Sequence, residues 1–286
     1  MLVIQPYPIS DNEVGMNSED FTHGIKTLTL SGWESFSEAL QGRNSYVWRG
    51  QRREDWPLLS AFDRSFPADA PYNEREAKAY EHLERFRYLM RGQLDESLEL
   101  ALSRRRQDND WWALGQQHGL NTPLLSWTAS PYVALYFAIH HFWKFDDSRG
   151  SFICIWGLPP LDHINARLRS HIMEHDPERY AQQCARTCVD AFYPYQAITC
   201  RLTSQSAFFT KTPYGTSLED WLAANGCEDD ENLLRIRIPL TRGEAQDCLR
   251  HLTRMNINPL TLWPAREGAC LLANIAMQVD GYHTFW

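Results

Sequence analysis

Hydrophobic positions along this chain follow two periods, and the period shows where helices and strands are expected. Spacings of three and four residues predict helices at 32–40, 73–106, 111–118, 131–139, 161–175, 178–190, 217–224 and 242–255, and from about 266. Short apolar runs predict strands at 46–48, 122–127, 152–156, 197–202, 233–238 and 261–263. Strands and helices alternate without a repeat or a low-complexity linker, so the sequence predicts one α+β domain.

Local signals support the ends of several helices. Ser130 before Pro131 places a capping residue ahead of a proline at the first helical position. Thr241 with Glu244 has the spacing of a capping box, and Gly119 is a normal helix stop. The helix that begins after Ser130 is apolar on nearly all sides, which predicts that it is buried.

The composition narrows the class of protein. The first 27 residues are polar and weakly patterned, so we expect an N-terminal arm at 1–27 and the domain at 28–286. The net charge of −8 argues against general affinity for nucleic acid, although basic stretches such as 104–106 leave a local groove possible. The 7 cysteines are scattered singly, and neither a signal peptide nor a membrane-length apolar run is apparent. We therefore expect a soluble, cytoplasmic protein with reduced thiols.

The first candidate for chemistry is Arg49, which follows a predicted strand and precedes Gly50 and Gln51. An arginine at the end of a buried strand, next to a glycine, places a permanent cation where backbone can approach a ligand closely. The guanidinium suits a phosphate or a pyrophosphate, because its fork matches two oxygens. The alternative is a structural arginine that is paired with a carboxylate.

A second candidate is the segment from Ser126 to Ser130, in which hydroxyls occupy alternate positions with Thr128 between them. In an extended segment these three hydroxyls share one face. Ahead of a helix N-terminus, that face would offer hydroxyls and free N–H groups to an anionic or polar ligand. The alternative is that Ser130 simply caps the next helix.

A zinc-hydrolase pattern, H-x-x-E-H, occurs at His171, Glu174 and His175. Asp176 and Pro177 end the predicted helix at once, and no third ligand stands out in the sequence. The pattern therefore favours an exposed amphipathic helix, and we expect no metal.

Taken together, these motifs resemble the FRG-domain family. Its pattern is roughly F-R-G-Q, then W-x-L with a downstream Arg, then Q-H-x-G-x-P-T-R-L-L-D-W-T-x-x-P-x-x-A-L-x-F-A. The corresponding segments here are WRGQ at 48–51, WPL at 56–58, Arg64, QHGL at 117–120 and LLSWTASPYVALYFA at 124–138. A later R-x-x-x-Q-x-G-x-F block is echoed at 201–209, and the resemblance spans roughly residues 28–280. Pro123, Ser126 and Ala207 replace the Arg, Asp and Gly of the pattern, so no role of that Asp is carried over.

The order of the parts is also similar, more distantly, to the ADP-ribosyltransferases. That resemblance implies a mixed or antiparallel sheet core of ADP-ribosyltransferase-like type, flanked by helices. It implies NAD as a substrate and transfer of ADP-ribose to a macromolecule, which is RNA, DNA or protein. FRG-like proteins are expected in bacterial toxin–antitoxin or phage-defence settings, which implies a toxin with an antitoxin or chaperone partner.

The resemblance also assigns roles to residues. It implies that Arg49 holds the NAD diphosphate, that Thr128 or Ser130 orients the nicotinamide ribose, and that Tyr136 or Phe137 stacks on nicotinamide. The third catalytic residue is Gln205, which matches the motif, or Glu267, which is the better acid and follows a predicted strand. The other residues that it places at the NAD site are Trp48, Gly50, Gln51, Arg64, His118 and Trp127.

Two other classes of function are alternatives to the transferase. A non-catalytic module that binds a nucleotide or nucleic acid would need Arg49 for binding but neither Gln205 nor Glu267 for a reaction. A nuclease or other hydrolase is disfavoured, because the sequence has no convincing carboxylate cluster for magnesium.

Overall fold

The structure, a computed structural model, describes residues 16–105, 107–145, 151–195, 200–226, 228–264 and 266–282. Its strands are β1 (Met16–Thr22), β2 (Ile25–Leu30), β3 (Val47–Gln51), β4 (Leu125–Thr128), β5 (Ser151–Leu158), β6 (Asp190–Phe192), β7 (Ala207–Lys211) and β8 (Leu233–Leu240). They form an eight-stranded sheet in the order β1-β2-β8-β5-β3-β4-β7-β6. Only the β2–β8 pair is parallel among the described strands, so the predicted mixed α+β fold is confirmed.

Helices cover both faces of the sheet. They are α1 (Tyr72–Leu89), α2 (Glu96–Arg105), α3 (Asp108–Gln117), α4 (Pro131–Ile139), α5 (Asp162–His175), α6 (Tyr180–Thr187), α7 (Cys200–Ser204), α8 (Leu218–Asn225), α9 (Arg242–Arg254), α10 (Pro259–Leu262) and α11 (Arg266–Gln278). A 3₁₀ helix, Trp33–Leu40, precedes β3. No helix in the described ranges is long and apolar enough to span a bilayer.

The central strand β5 explains why the sheet needs helices on both faces. Ile153 and Ile155 belong to the core that α4, α9 and α11 share, whereas Cys154 and Trp156 belong to the opposite core under α8. Successive side chains of a strand point to opposite faces, so an unbroken apolar run must be covered on each side. Cys154 is one of six unpaired cysteines in the described part of the chain.

Several expectations from the sequence were wrong at the edges of the sheet. Residues 16–27 form β1 and the start of β2 rather than an arm, and 1–15 lie outside the described residues. Polar residues dominate β1, because it is an exposed edge strand without an apolar pattern. The predicted strand at 197–202 is wrong where it is described, because Cys200 begins helix α7, and 197–199 lie outside the described residues.

Two further elements differ from the prediction. The helix predicted over 73–106 is divided into α1 and α2, with Gly92 at a positive φ of 72° in the turn between them. The strand predicted at 261–263 is helix α10, whose N-terminus is capped by Asn258. Its short apolar run fits either structure, and the asparagine cap decides for the helix.

The predicted capping box at the start of α9 is confirmed. Thr241 Oγ1 accepts from the Glu244 amide at 3.3 Å, and the Glu244 carboxylate accepts from the Thr241 amide at 2.7 Å. We expect Thr241→Ala to lower the free energy of unfolding by about 1 kcal/mol, and Thr241→Ser to retain most of it. Urea unfolding curves measure both variants, and an equal loss in the serine variant would contradict a capping role.

Candidate functional site

The main feature of the sheet is a fork between β3 and β4. These neighbours are joined through a single residue pair, Trp48 with Thr128. Beyond that pair β3 follows β5 as far as Gln51, whereas β4 follows β7 as far as Leu125. The two strands therefore diverge and leave a gap in the sheet.

A cleft of about 330 Å³ occupies this fork. Strand β3, strand β4, the end of α3, helix α4 and the start of β7 contribute its walls. Its lining residues are Trp48, Arg49, Gly50, Gln116, Gln117, Ser126, Trp127, Thr128, Ala134, Phe137, Gln205 and Ala207. No carboxylate lines the cleft among these residues.

Arg49 is the cation of the cleft. Its Nη1 donates to the Ser126 carbonyl at 2.8 Å and lies 3.4 Å from Ser126 Oγ, while its buried Nε has no partner. It makes no ion pair with any carboxylate of the described residues. The described residues therefore do not support the alternative of a carboxylate-paired structural arginine. Burial, and then the charge of Arg64, lowers the pKa of Arg49 to about 10, so it remains charged at neutral pH.

Arg64 and Glu219 surround Arg49 at a greater distance. Arg64 is exposed, donates to the Leu59 carbonyl and does not line the cleft, although its charge reaches Arg49. The Glu219 carboxylate also acts on Arg49, but it accepts from the Leu58 amide at 2.8 and 3.0 Å, and burial raises its pKa. Sequence reasoning missed Glu219, because it belongs to an ordinary helix start outside the motifs.

Gly50 has a structural reason that the sequence did not indicate. A Cβ on this residue would lie 1.8 Å from the Ala134 carbonyl oxygen of α4. The glycine thus lets α4 pack directly on β3. The sequence had suggested a different reason for this glycine, close approach of the backbone to a ligand. It still lines the cleft, since the floor there is bare backbone.

Three glutamines bring amide groups to the cleft. Gln116 is held at both ends, by Thr122 Oγ1 at 2.8 Å and by Ser126 Oγ at 3.3 Å. Gln205 Nε2 donates to the Leu262 carbonyl at 3.0 Å, which leaves its amide oxygen without a partner among the described residues. The side chain of Gln117 likewise makes no hydrogen bond within the described part. Two amides are therefore available to a ligand.

The predicted hydroxyls divide between two roles. Thr128 lines the cleft and accepts from the Ser130 amide at 3.1 Å. Ser130 accepts from the Val133 amide at 3.3 Å, so it caps α4 and does not line the cleft. For Ser130 the alternative interpretation, that it simply caps the next helix, is confirmed.

The aromatic residues also divide. Trp48, Trp127 and the half-buried Phe137 line the cleft. Tyr136 is fully buried in the core instead, where burial raises its pKa, so it is not available for stacking on a ligand. Its position on the core side of α4 is one residue away from Phe137, which faces the cleft.

Two other predicted residues do not line the cleft. Gln51 is buried and accepts from Trp156 Nε1 at 2.7 Å, which fixes it in the opposite core. His118 is exposed at the C-terminal end of α3. Each directly follows a cleft residue in the chain. The motif therefore predicted that these residues lie near the cleft, but it did not predict where their side chains point.

The structure brings Gln205 to the cleft and leaves Glu267 outside it. Glu267 lies in the first turn of α11, not after a strand, and its side chain is 66% exposed. It forms an ion pair with Arg201, whose other nitrogen donates to the Gln117 carbonyl at 3.0 Å. Glu267 is therefore two contacts away from the cleft.

The residues with possible metal-binding chemistry are arranged separately. His171 and His175 lie on one exposed face near the end of α5, which stops at His175 as predicted. No group of three or more His, Cys, Asp or Glu side chains able to hold a metal occurs within the described residues.

The comparison with known proteins agrees with the motifs around the cleft. Residues 44–147 match the family model of the FRG domain. No curated protein and no solved structure matches the chain significantly. The match includes β3, α3, β4 and α4 but ends before the block at 201–209 that contains Gln205. This chain is therefore similar to the FRG domain over residues 44–147, and that segment supplies most of the cleft.

Proposed function

We propose that the cleft binds NAD and that the protein transfers its ADP-ribose to a macromolecular acceptor. The observation that carries the proposal is Arg49, a partly buried guanidinium that lines a cleft and has no carboxylate partner in the described residues. A buried cation without a counter-ion is costly, and an anionic ligand supplies the missing charge. A diphosphate fits this need.

The rest of the cleft suits the other parts of a dinucleotide. Its volume of about 330 Å³ is that of a small-molecule site, which typically measures roughly 300–1,000 Å³. The indole and phenyl walls suit a flat aromatic ring. The Gln117 amide and the amide oxygen of Gln205, which have no partner among the described residues, suit a carboxamide or a ribose hydroxyl. Arg64 adds positive charge close enough to act on Arg49.

The proposed reaction is a displacement at the ribose. The bond between C1′ and the nicotinamide nitrogen breaks, and its electron pair leaves with nicotinamide. An oxygen or nitrogen of the acceptor forms the new bond to C1′ and releases its proton to solvent. Arg49 holds the diphosphate, Thr128 contacts the ribose, and Gln205 orients the ribose or the acceptor. The ADP-ribosyltransferase-like type of the sheet belongs to the same proposal, since these residues lie on or beside β3, β4 and β7.

The first experiment incubates the purified protein with NAD that is labelled in its adenylate part, together with separated protein, RNA and DNA fractions. Release of nicotinamide and label in one fraction support the transferase and identify the acceptor class. Folded protein that binds NAD yet releases no nicotinamide and labels no fraction would refute the transferase.

Two variants test which residue completes the site. We expect Gln205→Ala to lower the rate of nicotinamide release by about 10-fold, because one hydrogen bond to the reacting ribose or acceptor is lost. Glu267→Gln is expected to change the rate by less than about 3-fold, because its ion pair is exposed. Single-turnover rates at saturating NAD measure both variants. The reverse order of effects would restore Glu267 as the catalytic residue.

A second candidate is a nucleotide-binding module without turnover. It is favoured by the missing carboxylate, since no acidic side chain among the lining residues stands where an oxocarbenium-like charge would develop. This candidate needs Arg49 and predicts binding of NAD or ADP-ribose without release of nicotinamide. In a turnover assay the wild type and the Gln205 variant would then both show no reaction.

We further propose that the protein acts as the toxin of a bacterial toxin–antitoxin or phage-defence system, restrained by an antitoxin or chaperone. This context rests on the resemblance to the FRG family. Induced expression of the wild type in bacteria should arrest growth, and an Arg49 variant expressed to the same level should not. Normal growth with the active enzyme would contradict the toxin role.

A further inference from the structure

A second cavity, of about 460 Å³, is lined by residues that follow two elements of the cleft, β3 and α4, in the chain. We propose that it is a binding groove for single-stranded nucleic acid, which makes the acceptor of the proposed transferase a nucleic acid. The groove is lined by Arg52, Arg53, Glu54, Asp55, Lys144, Phe145 and Phe152. The inference about the acceptor rests on the proposed function, because it assumes the transfer step. The inference that the groove binds a single strand does not depend on that step.

The groove continues the chain segments that form the cleft. Trp48, Arg49 and Gly50 line the cleft on β3, and the residues 52–55 that follow this strand line the groove. Gly50 and Arg52 are two residues apart, so their Cα atoms are separated by roughly 7 Å. The segment around α4 is similar, since Phe137 of α4 lines the cleft and Lys144, five residues after the end of the helix, lines the groove.

Among the described residues that line the groove, three are cations and two are carboxylates. Its two carboxylates are already paired: Asp55 accepts from Arg53 at 2.6 and 2.8 Å, and Glu54 pairs with Arg237. Arg52 and Lys144 have no carboxylate partner within the described residues. Because the whole chain carries a charge of −8, this positive charge is local and selects a short stretch of phosphates rather than a long polyanion.

Exposed indoles flank the two unpaired cations. Arg52 Cζ lies 5.2 Å from the centre of the Trp56 ring, and Trp56 is 41% exposed. On the other side Trp143, 36% exposed, directly precedes Lys144. Stacking of a base on an aromatic side chain contributes about 1–3 kcal/mol and needs an unpaired base. Cations beside exposed indoles therefore favour a single strand over a duplex or an acidic peptide.

A row of rings connects the groove to the cleft. Phe137 contacts His140 with ring centres 5.9 Å apart, His140 contacts His141 at 3.9 Å, and His141 contacts Trp143 at 5.0 Å. Burial, followed by the charge of His141 and a smaller effect of Arg52, lowers the pKa of His140 to about 4. His140 is thus neutral at pH 7, and it adds no positive charge between the cleft and the groove.

The test measures binding of fluorescein-labelled 12-nucleotide oligo(rU), oligo(dT) and a 12-base-pair duplex by anisotropy, between 50 and 200 mM salt. For Arg52→Ala/Lys144→Ala we expect an affinity for the single strands at least 10-fold lower, with the slope of log K against log salt reduced by about 1.4. Trp56→Ala should weaken binding about 10-fold at every salt concentration. The matched control, Lys78→Ala/Arg85→Ala, removes two exposed basic groups from a different cavity and should change affinity less than 2-fold.

Equal loss in the control pair, tighter binding of the duplex, or no effect of Trp56→Ala would overturn the groove. The transferase is judged separately, by nicotinamide release from wild-type protein. Single-strand binding that needs Arg52 and Lys144 while no nicotinamide is released would keep the groove and refute the transferase. Transfer to the protein fraction alone would refute the nucleic-acid acceptor and keep the transferase.

Discussion

Replacing Arg49 by methionine is expected to lower the affinity for NAD and for ADP-ribose by about 100-fold. Methionine retains much of the length and the apolar contacts of the arginine but removes both the charge and the donors. Hydrogen bonds to charged groups contribute about 1.5–3 kcal/mol, and a factor of 100 corresponds to about 2.8 kcal/mol. Arg49→Lys should lose about 10-fold, because an ammonium keeps the charge without the two-pronged geometry. Isothermal titration calorimetry measures both variants.

Two further variants make this result specific. Arg91→Met makes the same chemical change at an exposed residue that follows α1, and it should leave the affinity unaltered. Ser126→Asp keeps Arg49 but places a carboxylate beside a guanidinium nitrogen that is now 3.4 Å from the serine oxygen. We expect this internal partner to compete with the ligand and to weaken binding at least 10-fold. Unchanged affinity in both Arg49→Met and Ser126→Asp would show that the anion binds elsewhere.

Replacing Gly50 by alanine is expected to destabilise the fold by about 3 kcal/mol or more. The new Cβ would lie 1.8 Å from the Ala134 carbonyl oxygen and 3.0 Å from the Ala138 amide nitrogen. These atoms are helix backbone, so relief requires that α4 moves away from β3 and opens the core behind it. Guanidinium unfolding monitored by tryptophan fluorescence gives the change in the free energy of unfolding.

Gly243→Ala is the matched control for this variant. Gly243 lies in the first turn of α9, where an added Cβ meets nothing within 4 Å. The substitution should stabilise the protein by about 0.5–1 kcal/mol, because alanine favours the helix more than glycine does. A Gly50→Ala protein as stable as the wild type would mean that α4 does not pack on β3 as described, and the cleft would lose the wall that Phe137 provides.

The motifs predicted much of the site, because many residues that line the cleft are consecutive in the chain, as at 48–50 and 126–128. Seven of the predicted residues line the cleft: Trp48, Arg49, Gly50, Trp127, Thr128, Phe137 and Gln205. The errors concern the directions of side chains. Gln51, His118 and Tyr136 adjoin cleft residues in the chain, but they point into a core or into solvent. A motif predicts which stretch of the chain lies at the site, whereas the pleat of a strand or the turn of a helix determines where each side chain points.

The sequence by itself determined the elements that have strong local signals. The capping box of α9, the proline at the start of α4 and the apolar run of β5 act within a few residues, so a short stretch of sequence is enough to predict their effect. The choice between Gln205 and Glu267 was of another kind. Both residues are polar and lie near a helix end, and the one at the cleft depends on how α7 and α11 pack.

Only the tertiary structure decided that the sheet forks between β3 and β4 and that the cleft lies in the fork. Strand pairing joins segments that are far apart in the chain: Arg49 meets Ser126 across 77 positions. Nothing within either segment indicates that the two strands share a single pair before they separate. The separation follows from the different partners of the two strands, β5 for one and β7 for the other. Those long-range pairings open the fork in which Arg49 lies without a carboxylate partner among the described residues, and the proposed function rests on that charge.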